Sequence, residues 1–389
     1  MKKFTLIFSL LFVSLIFPQG QTAVPYLTFQ QSAFLQGTGQ TGAAVISEDP
    51  LGFYYNPAVL GFTAKSNHIS SFFLSNKVDW LGAGRVFLNS YGINLGYNFE
   101  KKMPVSVGVG FIHNNFDFQL NENDSFDAIS IGASLNYLVS FGIGISIKKF
   151  NSALDNYPNG PAIHTETSGT AFDIGGIVNV PISKLLLASN KINLNQTTFI
   201  TPNLNLTLGY SLNNIGNKIS YIDPAQADPI PRTARLGYTI LIGSKLHFDD
   251  SEIDLMNYTF ISETSDLLVD ENMNYKSWLG DINIAKNLFQ LKTESSAIVH
   301  KAHIFDFFET IKLSIGRFNG RRYYNVKTSA FVLSTNGFFK LLSRKYESSV
   351  FNFIFFHLGI QYTKSKIFID QPIETEYNGI SIFFNNIKF

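Results

Sequence analysis

Two histidines and one acidic stretch are the parts of this chain whose residue types could bind a metal ion. His300 and His303 are three residues apart on a predicted strand, so their side chains would point to opposite faces and could not easily share an ion. The stretch from Asp270 to Asn274 begins like a calcium-binding EF-hand loop, but Tyr275 stands where glycine must make the sharp turn. We therefore interpret the histidines as isolated polar residues of a strand and the stretch as a solvated loop, and we predict no metal site.

Catalytic groups do not stand out in the sequence either. Gly142-Ile143-Gly144 is not a phosphate-binding loop, because it lies inside an alternating strand rather than before a helix. The sequence shows no obvious Ser-His-Asp set or pair of carboxylates, and a hydrolase has no supporting motif. The prediction is a protein that is not an enzyme, with no catalytic residue and no cofactor.

The first twenty residues read as a leader. Met1-Lys2-Lys3 is followed by an apolar run from Phe4 to Phe17, which is too short to span a bilayer core of about 30 Å. We predict that residues 1–20 are a secretory signal peptide, cut after Gly20. The chain contains no cysteine, so neither a lipidated thiol nor a disulfide can form.

Composition points away from a water-soluble domain. The 30 Lys+Arg and 29 Asp+Glu residues give a formal charge of +1, and removing Lys2 and Lys3 gives 28 − 29 = −1, so the basic excess of a nucleic-acid-binding protein is missing. Only 15% of the residues are charged, against about 25% in typical soluble proteins. The chain has 38 Phe and 17 Tyr, yet after the leader no apolar run approaches the roughly 20 residues of a membrane helix.

Strict alternation of apolar and small or polar residues accounts for that composition. In the segment from Leu204 to Leu212, every second residue is Leu or Tyr and the residues between them are Asn, Thr, Gly and Ser. The same period of two, typical of strands, recurs at 105–111, 129–137, 141–148, 234–242 and 356–362. The pattern fits two architectures: a soluble sandwich whose apolar faces meet, or an outer-membrane barrel whose apolar face meets lipid.

Several features favour the barrel. The strands run to about ten residues or more, as a tilted membrane-crossing strand must, and the apolar faces often end in Tyr or Phe. The chain also ends in an aromatic residue, Phe389. We predict an all-β fold, a transmembrane antiparallel β-barrel of about fourteen strands over residues 66–389. The predicted strands are 67–76, 80–88, 90–99, 104–119, 126–137, 138–150, 168–182, 202–215, 232–243, 252–263, 294–304, 310–318, 327–340 and 350–364, with 377–389 closing the sheet or replacing a weaker strand.

Ordered motifs along the chain resemble a known family. Gly42-Ala43-Ala44, Glu48-Asp49-Pro50 and Tyr55-Asn56-Pro57-Ala58 are similar to the N-terminal hatch of the long-chain fatty-acid transporter (FadL) superfamily, in particular its PorV/PorQ branch. The segments 208–240, 169–176 and 320–331 also resemble that branch, whereas residues 244–300 match it poorly.

The resemblance implies that residues 21–65 fold back into the barrel as a hatch, with Asp49, Pro50, Asn56, Pro57 and Ala58 as its motif. Pro57 fixes φ and Asn56 can bond neighbouring backbone, so the triplet would form a rigid corner. The alternative is an ordinary turn before the first strand.

Five further residues are candidates for contacts. Arg235 would face the lumen beside Gly237, where it could pair with an acidic hatch residue such as Asp49 or touch a ligand. A second group would lie on a loop, as a partner contact or as an interfacial anchor of the barrel. This group is Arg321, Arg322, Tyr323 and Tyr324.

Two functions remain open. The resemblance implies a non-catalytic component or adaptor of type IX secretion in the bacterial outer membrane, with secretion components or exported proteins as partners. The alternative is a passive outer-membrane channel for hydrophobic small molecules such as fatty acids. Both imply contact with outer-membrane lipids and none with nucleic acid. The Gly, Ser, Thr and Asn of the inward faces predict a polar interior, which favours the adaptor slightly.

Overall fold

The computed structural model describes most of the chain. The described residues are 22–79, 85–99, 103–117, 123–155, 164–187, 190–248, 251–294, 296–320, 323–343, 349–370 and 373–387. The predicted signal peptide, residues 1–20, lies outside these ranges, as does the terminal Phe389.

The described residues form one antiparallel sheet that closes on itself. Each strand pairs with its sequence neighbour, β1 pairs with β15, and β6 pairs with β8 to complete the ring, while the two-residue β7 extends the edge of β8. The strands are β1 (Ile69–Asp79), β2 (Arg85–Asn98), β3 (Val105–Asp117), β4 (Asn123–Asn136), β5 (Ser140–Asp155), β6 (His164–Val180), β7 (Ile192–Asn193), β8 (Thr198–Ile215), β9 (Thr233–Phe248), β10 (Ser251–Leu267), β11 (Ile298–Phe307), β12 (Ile311–Gly320), β13 (Tyr323–Ser334), β14 (Leu358–Asp370) and β15 (Ile373–Phe384).

The prediction of a closed antiparallel barrel of fourteen strands is confirmed. Most predicted strands shift by a few residues at their ends, and two predictions differ more. Residues 85–98, predicted as parts of two strands, form the single strand β2, because the exposed Asn89 continues the alternation between buried Leu88 and Ser90. Residues 336–340 and 350–357, predicted as strand, are helical. A short apolar run fits either a buried helix or a strand, so periodicity could not decide between them.

The outer surface of the barrel is apolar, as the alternation predicts. On β5 the outward residues Phe141, Ile143, Ile145 and Ile147 are all at least half exposed, with Ile143 at 72%. Outward residues of the other strands are also exposed, to between 41% and 63%: Phe73, Ile93, Leu95, Ile129, Ile131, Leu208, Ile242, Leu313, Ile315, Leu333, Ile360 and Ile380. Such an exterior is stable against hydrocarbon and unfavourable in water, so the barrel is of the transmembrane type.

Strand direction defines two rims. β1 begins and β15 ends at one rim, which we call the N-terminal rim, and the opposite rim is the far rim. Helices α3 (Ile182–Leu186), α4 (Asn336–Ser343) and α5 (Ser349–His357) lie in connections at the N-terminal rim. The long connections 216–232 and 268–297 lie at the far rim. Among the described residues, no helix is both long and apolar enough to cross a membrane.

Residues 22–66, the N-terminal segment, lie within the ring of strands. The segment includes α1 (Ala33–Gln36), α2 (Val59–Thr63) and short 3-10 turns at Pro25–Thr28 and Ala64–Ser66. Helix α1 contacts β13, β14 and β15, and α2 contacts β2 to β5 on the other side of the barrel. Nearly all residues of the segment are buried. This arrangement is consistent with the predicted hatch over 21–65, whose boundaries stay a prediction.

Candidate functional site

The corner at Asn56-Pro57-Ala58 is held by one side chain. The Asn56 amide donates from Nδ2 to the carbonyl of Ala43 at 2.6 Å, and its Oδ1 accepts from Ala58 N at 3.1 Å. Asn56 is fully buried, so each of these bonds replaces one lost to water. The corner thereby joins the Gly-Ala stretch to the start of α2.

Glycines of the wall make room for this corner. A Cβ at Gly132 or Gly144 would overlap the backbone of Pro57, and one at Gly209 would overlap the carbonyl of Ala43. The inward glycines of β4, β5 and β8 therefore allow the segment's backbone to lie directly on the wall.

Asp49 stabilises a turn inside the segment. It is buried, its Oδ2 accepts from the Ser32 hydroxyl at 2.6 Å, and its Oδ1 accepts from Leu51 N at 2.9 Å. Burial raises the pKa of Asp49, and the hydrogen bond from Ser32 works in the opposite direction. The neighbouring Pro50 accepts from the amide of Asn94 at 2.9 Å, which fastens the turn to β2.

Arg235 faces the lumen, as predicted, but its acidic partner is not Asp49. Its Nη1 lies 2.7 Å from Oε1 of Glu263 on the adjacent strand β10 and 3.1 Å from the carbonyl of Gln40. The prediction failed because pairing across neighbouring strands places Arg235 close to Glu263. The guanidinium also lies over the ring of Tyr55, 3.5 Å from its centre.

Glu263 also binds the N-terminal segment through its second carboxylate oxygen. Oε2 accepts from the backbone N–H groups of Gly42 and Ala43, both at 2.8 Å, and the carboxylate is fully buried. Arg235 and Glu263 therefore hold residues 40–43 through charge-assisted bonds, and we call this pair the clamp. Sequence reasoning missed Glu263, although a carboxylate at an inward position among small residues was a usable signal.

Further inward residues hold the stretch next to the clamp. The Nδ1 of His300 donates to the carbonyl of Gly39 at 2.6 Å, and its Nε2 accepts from Ser265 at 2.9 Å. Thr328 accepts from Gly39 N at 2.8 Å and donates to the carbonyl of Gly37 at 2.9 Å. Strands β9 to β13 thus fasten residues 37–43 mainly by polar contacts.

A second buried ion pair lies at the seam that closes the barrel. Lys148 on β5 lies 2.8 Å from Asp173 on β6, and both side chains are almost completely buried. The register between β6 and β8 shifts at Asp173, whose Oδ1 accepts from Asn214 N at 2.7 Å. The ammonium of Lys148 also lies 4.1 Å from the centre of the Tyr54 ring. This pair connects the seam to the N-terminal segment.

The opposite half of the lumen contains a large apolar part, which corrects the predicted polar interior in part. Toward the N-terminal rim, the inward residues of β2 to β5 are mostly Gly and Ser, whereas toward the far rim large apolar residues lie beside the polar Asn114 and Lys148. Phe126 stacks on Tyr54 of the segment with ring centres 5.5 Å apart, and Phe116 lies 5.4 Å from Tyr26. We call this set the apolar cluster: Tyr26, Leu27, Phe53, Tyr54, Leu88, Ile112, Phe116, Phe126 and Phe150.

The far rim is covered by its two long connections. The carbonyl of Pro229 accepts from Ala23 N at 3.0 Å, which ties connection 216–232 to the beginning of the segment. The guanidinium of Arg232 lies 3.8 Å from the ring centre of Tyr275 in connection 268–297. At the N-terminal rim, a cavity of about 180 Å³ opens beside Ile46, Phe62 and other residues of the segment.

The remaining sequence candidates are distributed as follows. Arg321 and Arg322 lie outside the described residues. Tyr323 and Tyr324 begin β13 rather than lying on a loop, which corrects the predicted location. Their predicted partner contact stays a prediction.

The histidines and the acidic stretch behave as interpreted. His300 is buried in the lumen, whereas His303 lies on the outer face against Tyr258, so the two point to opposite faces. In the acidic stretch, Asp270 accepts from Asn272 N and Asn274 N, both at 2.8 Å, and so closes its own turn. Among the residues that the structure describes, no three His, Asp or Glu side chains are grouped to hold a metal ion.

Comparison with known proteins finds likeness in architecture alone. No family model matches the chain, and no curated protein matches it. Among solved structures it overlaps the CymD monoaromatic hydrocarbon channel at 11% identity (TM-score 0.41, 91% of this chain and 97% of that one) and a Pseudomonas aeruginosa FadL homologue at 9% (0.42, 92% and 98%). It also overlaps the Pseudomonas putida toluene transporter TodX at 10% (0.43, 92% and 98%). Similarities at this level do not assign a substrate, and the PorV/PorQ resemblance stays a prediction.

Proposed function

We propose that this chain is a non-catalytic outer-membrane barrel that works as a gated passive channel for small hydrophobic molecules. The observation that carries the proposal is the apolar cluster, which lines the far half of the lumen between the N-terminal segment and strands β2 to β5. Phe116 and Phe126 pack against Tyr26 and Tyr54 of the segment. Together with Phe150 they would present an apolar wall to a hydrophobic molecule once the segment moved away. Apolar walls with few polar groups are typical of sites for hydrophobic ligands.

The N-terminal segment would be the gate. Its first residues, including Tyr26 and Leu27, occupy the space beside the apolar wall. On that wall the hydroxyl of Tyr26 donates to the carbonyl of Asn151 at 2.8 Å, and the Tyr26 ring contacts Phe116. The first residues are also held by hydrogen bonds from Asn214 Nδ2 to the carbonyl of Leu27 at 3.3 Å and from Ala23 N to the carbonyl of Pro229 at 3.0 Å. Residues 40–43 are instead bound by the clamp. A gate that moves would release residues 22–29 and leave the clamp closed.

The test is dye uptake by bacteria whose lipopolysaccharide excludes a hydrophobic naphthylamine dye. Cells that carry the barrel should take up the dye faster than cells without it. Phe126→Asp places a charge in the apolar cluster and should remove that gain, whereas Ser314→Ala, on the clamp side of the lumen, should preserve it. Equal amounts of folded barrel are checked by the migration shift on heating. Equal uptake with and without the barrel would refute the channel.

The second candidate is the secretion adaptor. The filled lumen favours it, because an adaptor needs no pathway through the barrel. Purification of the barrel from its own host in mild detergent, followed by identification of the bound proteins, tests this function. Stoichiometric secretion components without dye uptake would replace the channel proposal. A bound lipid or hydrocarbon inside the barrel would favour the channel.

A further inference from the structure

Part of connection 268–297 lies on the outside of the barrel. We call residues 276–290 the outer flap; it contains a π-helical turn, Ile284–Phe289. Residues 263–293 lie between the predicted strands 252–263 and 294–304, and the sequence predicts them as a loop or short helix outside the membrane. The flap instead folds back over the outer face of β8, β9 and β10, at their far-rim ends.

Contacts with outward side chains establish this position. Glu263 of β10 faces the lumen, so its neighbour Ser262 faces outward, and the Ser262 hydroxyl donates to the carbonyl of Leu288 at 2.7 Å. On β9, Tyr238 is paired with Ser262, and its ring stacks on Phe289 with centres 5.6 Å apart. On β8, the hydroxyl of Tyr210 donates to the carbonyl of Trp278 at 2.7 Å.

The flap covers polar groups whose exposure to hydrocarbon would be strongly unfavourable. Ser262, Thr264 and Asp266 lie on the outer face of β10, and all three are fully buried beneath neighbouring chain. Asp266 accepts from Asp281 N at 2.7 Å and also bonds the Ser296 hydroxyl. A carboxylate facing lipid without partners would be strongly destabilising, so the flap replaces lipid at this part of the wall.

The flap's own polar groups are satisfied internally. Lys276 lies 2.7 Å from Asp281, and Lys286 lies 2.6 Å from Glu294. Asn287 is fully buried and donates to the carbonyl of Lys292 at 2.7 Å.

Four large apolar side chains of the flap are uncovered, beside exposed polar residues such as Asp281, Asn283 and Lys286. Trp278 is 67% exposed and Phe289 is 68% exposed, with Leu279 and Ile284 also exposed. This surface continues the lipid-facing exterior, because Leu208 on β8 is two residues from Tyr210 on the same outward face and is itself exposed. A Trp-containing apolar surface at the end of a membrane-spanning strand is typical of the belt where a protein meets lipid headgroups.

We propose that the outer flap is a membrane anchor, in which Trp278, Leu279, Ile284 and Phe289 enter the lipid on the far-rim side of the membrane. The occupant of this surface is lipid because the surface is continuous with the exterior that already faces hydrocarbon. The inference requires that the barrel spans a membrane and is independent of whether it conducts solutes.

Fluorescence depth measurement tests the anchor. The chain has two tryptophans, so Trp80→Phe leaves Trp278 as the sole fluorophore. The protein is reconstituted into phosphatidylcholine vesicles whose acyl chains carry bromine at a shallow or a deep position. We expect blue-shifted emission, stronger quenching by the shallow bromine than by the deep one, and protection from aqueous iodide.

Two control variants, each carrying one introduced tryptophan and no native one, show the quenching expected at a lipid-facing and at a water-facing position. Ile143→Trp on the outer face of β5 should be quenched by brominated lipid, which establishes that the barrel is inserted. Asn272→Trp, at an exposed turn of the same connection, should be quenched by iodide and not by lipid. Strong quenching at Ile143→Trp with Trp278 open to iodide would overturn the anchor while leaving the membrane barrel intact.

Dilution of the protein with lipid distinguishes lipid contact at the flap from contact with a second copy of the protein. If a second copy covered the flap, the blue shift of Trp278 would fade as the ratio of lipid to protein is raised, and that result would also overturn the proposal. A shift that is unchanged by dilution supports lipid as the occupant.

Discussion

Arg235 and Tyr55 are stacked inside the barrel, with the guanidinium 3.5 Å from the centre of the ring. The same guanidinium pairs with Glu263 at 2.7 Å, and Glu263 binds the backbone of Gly42 and Ala43. Arg235 on β9, Glu263 on β10 and the N-terminal segment thus form one buried unit. Because the charges are removed from water, each partner depends on the others.

Removing one charge of the clamp should loosen the segment. We expect Glu263→Gln to destabilise the folded barrel by about 3–5 kcal/mol, because Arg235 would stay buried without its counter-ion. The heating temperature at which the folded band disappears from a gel should fall, and added protease should cut within residues 37–44. The double variant Arg235→Met/Glu263→Met should lose less stability than Glu263→Gln, since both charges are removed and none is left buried without a partner. Equal losses in the single and double variants would contradict the importance of the ion pair.

Side chains larger than that of glycine should not fit where the barrel wall contacts the Asn56-Pro57-Ala58 corner. Gly144→Ala places a Cβ onto the backbone of Pro57, so we expect reduced assembly of the barrel or displacement of the segment. Gly176→Ala is the matched control, because a Cβ there meets only the carbonyl of Gly142, at 3.7 Å. Folded yield and protease resistance measure both variants. Equal behaviour would show that the segment does not rest on this wall.

The outer face of β5 should require apolar residues. Ile143→Arg should destabilise the barrel by about 2–4 kcal/mol if the residue lies near the middle of the bilayer. Ile222 in the far-rim connection 216–232 is exposed to the same fraction, 72%, so Ile222→Arg controls for loss of an exposed isoleucine. Urea titration of folding into vesicles measures the difference. If Ile222→Arg lowers the free energy of unfolding as much as Ile143→Arg does, that result would argue against lipid contact at β5.

The outer flap should respond to acid only at low pH. Hydrogen bonds from Lys276 and Ser296 hold the pKa of Asp281 below its ordinary value of 3.8. A lowered pKa in the folded state stabilises the flap above pH 3.8, and this contribution is lost as pH falls through the folded-state pKa. Asp281 is exposed, so the contribution stays under about 1 kcal/mol.

The emission of Trp278 in the Trp80→Phe protein should therefore be constant from neutral pH to about pH 4 and change only below it. Asp281→Asn should diminish the acid step. A transition centred near neutral pH would contradict the assignment.

The sequence by itself determined the wall and its orientation. A period of two that alternates Ile, Leu and Phe with Gly and Ser is sufficient to predict strands, and the low charge content indicates that the apolar face meets lipid. The residues of β5 follow this rule from Phe141 to Ile147, because the pleat forces neighbouring side chains to opposite faces.

Only the tertiary structure decided which residues meet in the lumen. Glu263 and Gly42 are 221 positions apart, and their contact exists because closure of the ring brings β10 against the N-terminal segment. The apolar cluster was hidden because Ile112 and Phe126 occupy inward positions that the alternation rule assigns to small or polar residues. The outer flap was hidden for a related reason: Ser262 and Asp266 face outward, and only a second layer of chain makes that arrangement stable in a membrane.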